Sequence, residues 1–146
     1  MQARIHRPDG GRILNVLGNM MLEKASSEDL GGGAAVFVQS IPPGFGPPEH
    51  VHADSDEFFY VLDGELDVWV DGSHAKLWSG MSSTLPRGVK HRFLNTGTRP
   101  VKVLAVVTPG TGARFFDDLD RERPQLPAEF AKLEAIVARH DISFAV

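Results

Sequence analysis

The amino-acid sequence predicts an all-β domain of the sandwich or barrel kind, with a short helical extension at its C-terminal end. Three observations carry that reading. Short apolar runs of strand length recur at intervals of roughly 8–12 residues, with turn-forming residues between them. Glycine and proline are abundant, 15 and 10 of 146 residues, as many tight turns require. Helical spacing of apolar residues begins only after Pro109-Gly110. A chain of this length makes one domain, with a barrel core over residues 12–108 and the extension over residues 111–146.

Taken in order, residues 1–11 form a polar arm or edge segment ending in Asp9-Gly10-Gly11. Residues 12–24 read as two short strands around Gly18-Asn19. After a loop at 26–33, a strand over 34–41 is stopped by Pro42-Pro43-Gly44. Glu57 opens the apolar run Phe58-Phe59-Tyr60-Val61-Leu62, which Asp63-Gly64 closes as a hairpin turn. Residues 65–71 then alternate, with Leu66, Val68 and Val70 facing inward and Glu65, Asp67 and Asp71 outward. Trp69 falls on the outward side, where so large an aromatic predicts a subunit interface or a covering segment.

Residues 74–78 and 81–85 are short strands, 89–94 a strand bearing His91, and 101–108 a run so apolar that it predicts burial on both faces. Phe115, Phe116 and Leu119 then predict one short helix. Residues 127–140 predict a second, with Pro127 in its first turn and Phe130, Leu133, Ile136 and Val137 on one stripe. The acids Asp117, Asp118, Asp120 and Glu122 read as a solvated helix face, and residues 142–146 as an addition to a sheet edge.

The chemistry concentrates in residues 44–64. Alternate side chains of a strand share a face, so His50 and His52 point the same way and both imidazoles reach one ion. The turn formers Ala53-Asp54-Ser55-Asp56 follow, and pairing of the strands on either side returns Glu57 to the histidines. A fourth ligand comes from elsewhere in the chain, and His91 offers it. Three imidazoles and a carboxylate suit a divalent transition ion, Fe, Mn, Co, Ni or Zn, rather than calcium or magnesium, which prefer oxygen. Alternation places Phe59 and Val61 on the face of Glu57, and Val89 and Phe93 on the face of His91, lining an apolar small-molecule pocket with Phe45, Pro47 and Pro48 at its rim. Asp54 and Asp56 form a solvated loop or orient a ligand imidazole. His6, His74 and His140 read as surface residues, and Phe58 and Tyr60 face away from Glu57.

Gly44, His50, His52, Glu57 and Gly64 fit the pattern G-x5-H-x-H-x4-E-x6-G, and Gly80, Pro86, Gly88, His91 and Asn95 fit G-x5-P-x-G-x2-H-x3-N. These are the two motifs of the cupin superfamily, which the chain resembles with no motif position departing. Over residues 34–120 it is similar to the single-domain quercetin-dioxygenase-like cupins. The resemblance implies a cupin jelly-roll barrel, or double-stranded β-helix, with His50, His52, Glu57 and His91 as metal ligands and Glu57 also as catalytic base. It implies a dioxygenase acting on a small aromatic or enolic substrate. A metal-dependent isomerase, lyase or polyketide cyclase without O2, and a non-catalytic small-molecule-binding module, are the alternatives.

Composition bounds the partners. The net charge of −4 and scattered basic residues give no footprint for nucleic acid or an anionic membrane. The absence of cysteine leaves a nitrogen and oxygen site without thiolates. No apolar run reaches signal-peptide or membrane-span length, which predicts a cytoplasmic protein. Trp69 and the other outward aromatics predict a homodimer.

Overall fold

A computed structural model describes residues 2–145; the two terminal residues lie outside it. Among the described residues, eleven strands divide into two antiparallel sheets that face each other across the core. The first sheet joins β1 (Arg12–Val16), β2 (Asn19–Ala25), β3 (Ala35–Ile41), β10 (Val101–Thr108), β5 (Asp56–Asp63) and β8 (Ser82–Leu85), in that order. The second joins β11 (Ile142–Phe144), β4 (His50–His52), β9 (His91–Leu94), β6 (Glu65–Val70) and β7 (Ser73–Trp78). Hydrogen bonding runs within each sheet and does not close into a ring, so the molecule is a jelly-roll sandwich. Helices α1 (Arg114–Glu122) and α2 (Phe130–Ala138) follow the last long strand. No helix among the described residues is long and apolar enough to cross a membrane.

Alternation explains the strands, and it corrects one of them. In β10, Val101, Val103, Ala105 and Val107 are buried while Lys102, Leu104, Val106 and Thr108 are not, so this strand is buried on one face only. The outer row continues through paired neighbours as Ile13, Leu22, Val38, Leu104 and Tyr60. Its apolar residues therefore misled the expectation of burial on both faces.

The expected hairpin at Asp63-Gly64 is absent as well. A single residue, Gly64, separates β5 from β6, and a two-residue loop is the shortest that folds a strand back on its neighbour. Instead the chain bends at Gly64, φ 95°, and feeds the opposite sheet. True hairpins stand at Leu17-Gly18 and Asp71-Gly72, where both residues take the positive φ that such turns require.

The outer face of the second sheet also differs from expectation. Asp67 is buried rather than exposed, accepting from Thr96 Oγ1 over 2.5 Å and lying 2.7 Å from His74 Nε2. Trp69 is half-buried between the Arg92 guanidinium, 3.9 Å from its ring, and His74. The acids of α1 are part-exposed and also paired: Asp117 pairs with Arg12, Asp120 Oδ1 accepts from Asn15 N, and Asp118 meets His140 at 2.6 Å. His74 and His140 are therefore tied into these clusters. Helix α2 starts at Phe130, three residues later than the proline predicted, with residues 126–129 in turns.

Asn95 ties the site-bearing loop to the core. Its side chain is fully buried; Nδ2 donates to Ile41 O and Arg99 O, at 3.0 and 2.8 Å, and Oδ1 accepts from Gly97 N. Its backbone exchanges hydrogen bonds with Gly44 and Phe45. Asn95→Ala is expected to leave those groups unpaired and lower stability by about 3 kcal/mol, read as a lower urea midpoint at unchanged slope.

Candidate metal centre

Two short strands assemble the imidazoles. His50 in β4 stands directly opposite His91 in β9, and His52 lies two residues beyond on the same face of β4. Ring centroids are 4.4 Å apart for His50 and His91, 5.0 Å for His50 and His52, and 5.4 Å for His52 and His91. One nitrogen from each of the three lies within 4.8 Å of the others.

The other nitrogens are occupied in a way that fixes each ring. His50 Nδ1 is 3.0 Å from Pro48 O and His91 Nδ1 is 3.1 Å from Val89 O. A carbonyl only accepts, so each Nδ1 carries the proton and each Nε2 presents a lone pair. His52 Nδ1 has Ser55 Oγ at 3.5 Å. His91 Nε2 is buried without a hydrogen-bond partner, while His52 Nε2 makes no well-directed hydrogen bond but faces Glu57 Oε1 at 2.9 Å. At His50 and His91 an inward Nε2 with a backbone carbonyl holding the far side of the ring is the arrangement of an imidazole metal ligand, so the residues fit a divalent ion.

Glu57 comes from the other sheet. β5 pairs with β10 and β8, not with β4, so the carboxylate reaches the histidines across the core and not by a hairpin. Its Oε1 lies 2.9 Å from His52 Nε2, although it stands outside the group of three mutually close imidazoles.

Electrostatics keeps the set competent at neutral pH. Burial pushes His50 down to about 4, helped by the neighbouring His91 and His52, and burial likewise lowers His91. Burial by itself would raise Glu57, but the field of His52, then of His91 and His50, outweighs it and holds the carboxyl below its ordinary value.

A narrow apolar cavity of about 70 Å³ adjoins the cluster. Phe59 and Phe93 line it together with Phe45 and Pro47; Pro48, expected at the rim, does not line it. Val61 does not: it is fully buried in the core beyond the cavity. Val89 does not either, because β9 begins only at His91, and its contribution is the carbonyl facing His91 Nδ1. Much of the wall comes from the C-terminal segment, including Phe115, Phe116, Leu119, Leu133 and Phe144. Phe115 lies 5.3 Å from the His52 ring, and β11 pairs along β4 with Phe144 opposite His50. Sequence reasoning saw an apolar stripe there and not what it covered. Ser55, beside His52, also went unnoticed between Asp54 and Asp56; those acids turn elsewhere, Asp56 pairing with Arg87.

The lowered histidines set a pH dependence. Between about 4 and 6.5 the unfolded chain binds a proton at residue 50 that the folded chain does not, so stability falls as pH falls through that window. Glu57, depressed from 4.5, adds the same sign below that value. Metal-free protein is expected to lose up to about 1.4 kcal/mol per pH unit for each such proton, with no loss above pH 7. Urea midpoints at pH 7.5, 6 and 5 check this, and His50→Gln should flatten the slope.

Comparison with known proteins agrees with this architecture. Residues 37–107 match the family model for the cupin domain. The tetracenomycin polyketide synthase protein TcmJ of Streptomyces glaucescens is 33% identical over 88 residues, 60% of this chain and 59% of that protein. Quercetin 2,3-dioxygenase of Bacillus subtilis (strain 168) is 27% identical over 112 residues, 76% of this chain and 32% of that one. The chain spans about half the length of the curated relatives it matches first. Among solved structures, the polyketide cyclase RemF from Streptomyces resistomycificus shares the fold, with a TM-score of 0.63 at 20% identity over 75% of this chain and 80% of that one. With both motifs complete, three imidazoles converging between two jelly-roll sheets and the family model matched across the central strands, residues 37–107 form a cupin domain.

Proposed function

We propose that this cupin-domain protein is a metal-dependent enzyme acting on an enolisable aromatic or polyketide-type compound, with Glu57 as its base. One observation carries the reading: a buried carboxyl group stands 2.9 Å from His52, beside three clustered imidazoles, at the edge of a phenylalanine-lined cavity. The similarity to TcmJ and to the polyketide cyclase RemF supports the polyketide class. His50, His52 and His91 would hold the ion, with Glu57 at its side. A divalent Fe, Mn, Co, Ni or Zn there supplies positive charge at a carbonyl or phenolic oxygen.

The residues do the rest. Phe45, Phe59 and Phe93 grip a flat ring and exclude water. Glu57 takes an acidic proton from carbon beside a carbonyl, and the resulting carbanion attacks a ketone carbon of the same molecule to close a ring. The protonated Glu57 then returns the proton to the new alkoxide, so the base is regenerated. The second reading, oxygen-dependent cleavage of the deprotonated substrate, is supported by the similarity to quercetin 2,3-dioxygenase, which spans the larger share of this chain. It also starts with a proton transfer to Glu57, there from an enol or catechol-like hydroxyl.

Protein reconstituted separately with each of the five metals, supplied with β-diketones, catechols and flavonols with and without air, tests both readings. Turnover unchanged without air supports ring closure or a related isomerisation, and stoichiometric O2 uptake supports the dioxygenase. No turnover under any condition removes the enzyme reading. Glu57→Gln is expected to lower kcat by about 10²–10⁴-fold while the three imidazoles still retain metal, measured by elemental analysis of the dialysed variant.

A further inference from the structure

Two amides stand in the otherwise apolar cavity, and the proton chemistry gives neither a task. Asn19 follows the turn between β1 and β2, and Gln39 lies in β3; both line the cavity, at 2% and 3% exposure. Asn19 Nδ2 donates to Gln39 Oε1 over 3.0 Å. That bond leaves Asn19 Oδ1 buried without a partner, and Gln39 Nε2 is a donor outside it. A buried acceptor left unpaired costs stability, so a pair kept only to hold the fold would be a poor choice beside two apolar side chains of the same shape.

What the pair offers follows from amide chemistry. One bond between two amides uses one donor group and one acceptor and leaves one of each. Turning both amides over exchanges the atoms and gives the same remainder. A hydroxyl both donates and accepts, so it answers the pair fully, whereas a hydrogen or methyl at that place answers neither half.

The pair is also well separated from the base. Gln39 stands opposite Val103, which stands opposite Val61, four residues along β5 from Glu57. At strand rise this is on the order of 13 Å along the sheet. The cavity therefore has a polar spot at each end and phenylalanines between.

We infer that Asn19 and Gln39 form a recognition subsite for a hydroxyl at the end of the substrate remote from Glu57, an inference that rests on the cavity being the substrate site. The substrate class becomes a polyhydroxylated aromatic with oxygen at both ends. Both residues are specificity determinants and neither touches the reacting atoms.

Calorimetric binding of 2-naphthol, 2,6-dihydroxynaphthalene and 2,7-dihydroxynaphthalene to the metal-free protein tests this without turnover. The second hydroxyl is expected to tighten binding at least tenfold in the unmodified protein and less than twofold in Asn19→Leu and in Gln39→Met. The double variant Asn19→Leu/Gln39→Met, without ligand, is expected to unfold at no lower urea concentration than the parent, which a structural role would not allow. Equal affinities for all three probes overturn the subsite, as does a preference that survives in both single variants or a loss of stability in the double variant. Should one variant fail to fold, the other and the comparison in the parent protein still decide. A protein with the preference but no turnover keeps the subsite and loses the enzyme reading, and turnover without the preference does the reverse. Failure to bind any probe removes the cavity as the site.

Discussion

The site hangs on one cross-strand pair, His50 opposite His91. β4 is three residues long, so that pair on one edge and the β11 pairs on the other are what hold both of its histidines in place. A shift of one residue would turn Val51 inward and both imidazoles away, because strand side chains alternate. Glu57 is fixed independently, by the register of β5 against β10, where it stands opposite Val107. The constellation therefore depends on the spacing of two packed sheets as much as on either sheet. Phe59 and Phe93 meet edge to face across that gap at 5.5 Å, and burying each stabilises the packing by about 2–3 kcal/mol.

Close approach of the loop before β4 completes the geometry. A side chain at Gly46 would place its Cβ 2.1 Å from Phe93 O, so the loop passes over β9 only because that residue has none. The same loop delivers Phe45 to the cavity and the Pro48 carbonyl to His50. Backbone groups thus orient two of the three imidazoles, and those contacts are indifferent to side-chain identity at Pro48 and Val89.

The C-terminal segment closes the cavity rather than trailing from the domain. α1 is tied to β1 through Arg12 and Asp117 and through Asn15 and Asp120, and to the end of α2 through Asp118 and His140. Exposed ion pairs contribute little singly. Their effect here is to seat Phe115, Phe116 and Leu119, whose buried side chains wall the cavity beside the histidines.

The meeting of His50, His52 and His91 was legible in the sequence because short-range spacing and strand alternation bring His50 and His52 to one face, and the second motif points to His91. The all-β class was legible for a similar reason, since turn residues and a period of two are local properties. Other features were misread where local pattern gives no partner: the apolar β10 is buried on one face only, Asp67 is covered, and the acids of α1 find partners in β1 and just beyond α2. By itself the sequence determined the residue types of the centre, the strands that carry them and the positions of most turns, all set by bonds and sterics within a few residues. Only the tertiary structure decided that Glu57 arrives from the opposite sheet, that the C-terminal helices wall the cavity and that Asn19 meets Gln39 inside it, because each is a contact between segments far apart in the chain whose meeting is settled by packing the whole core.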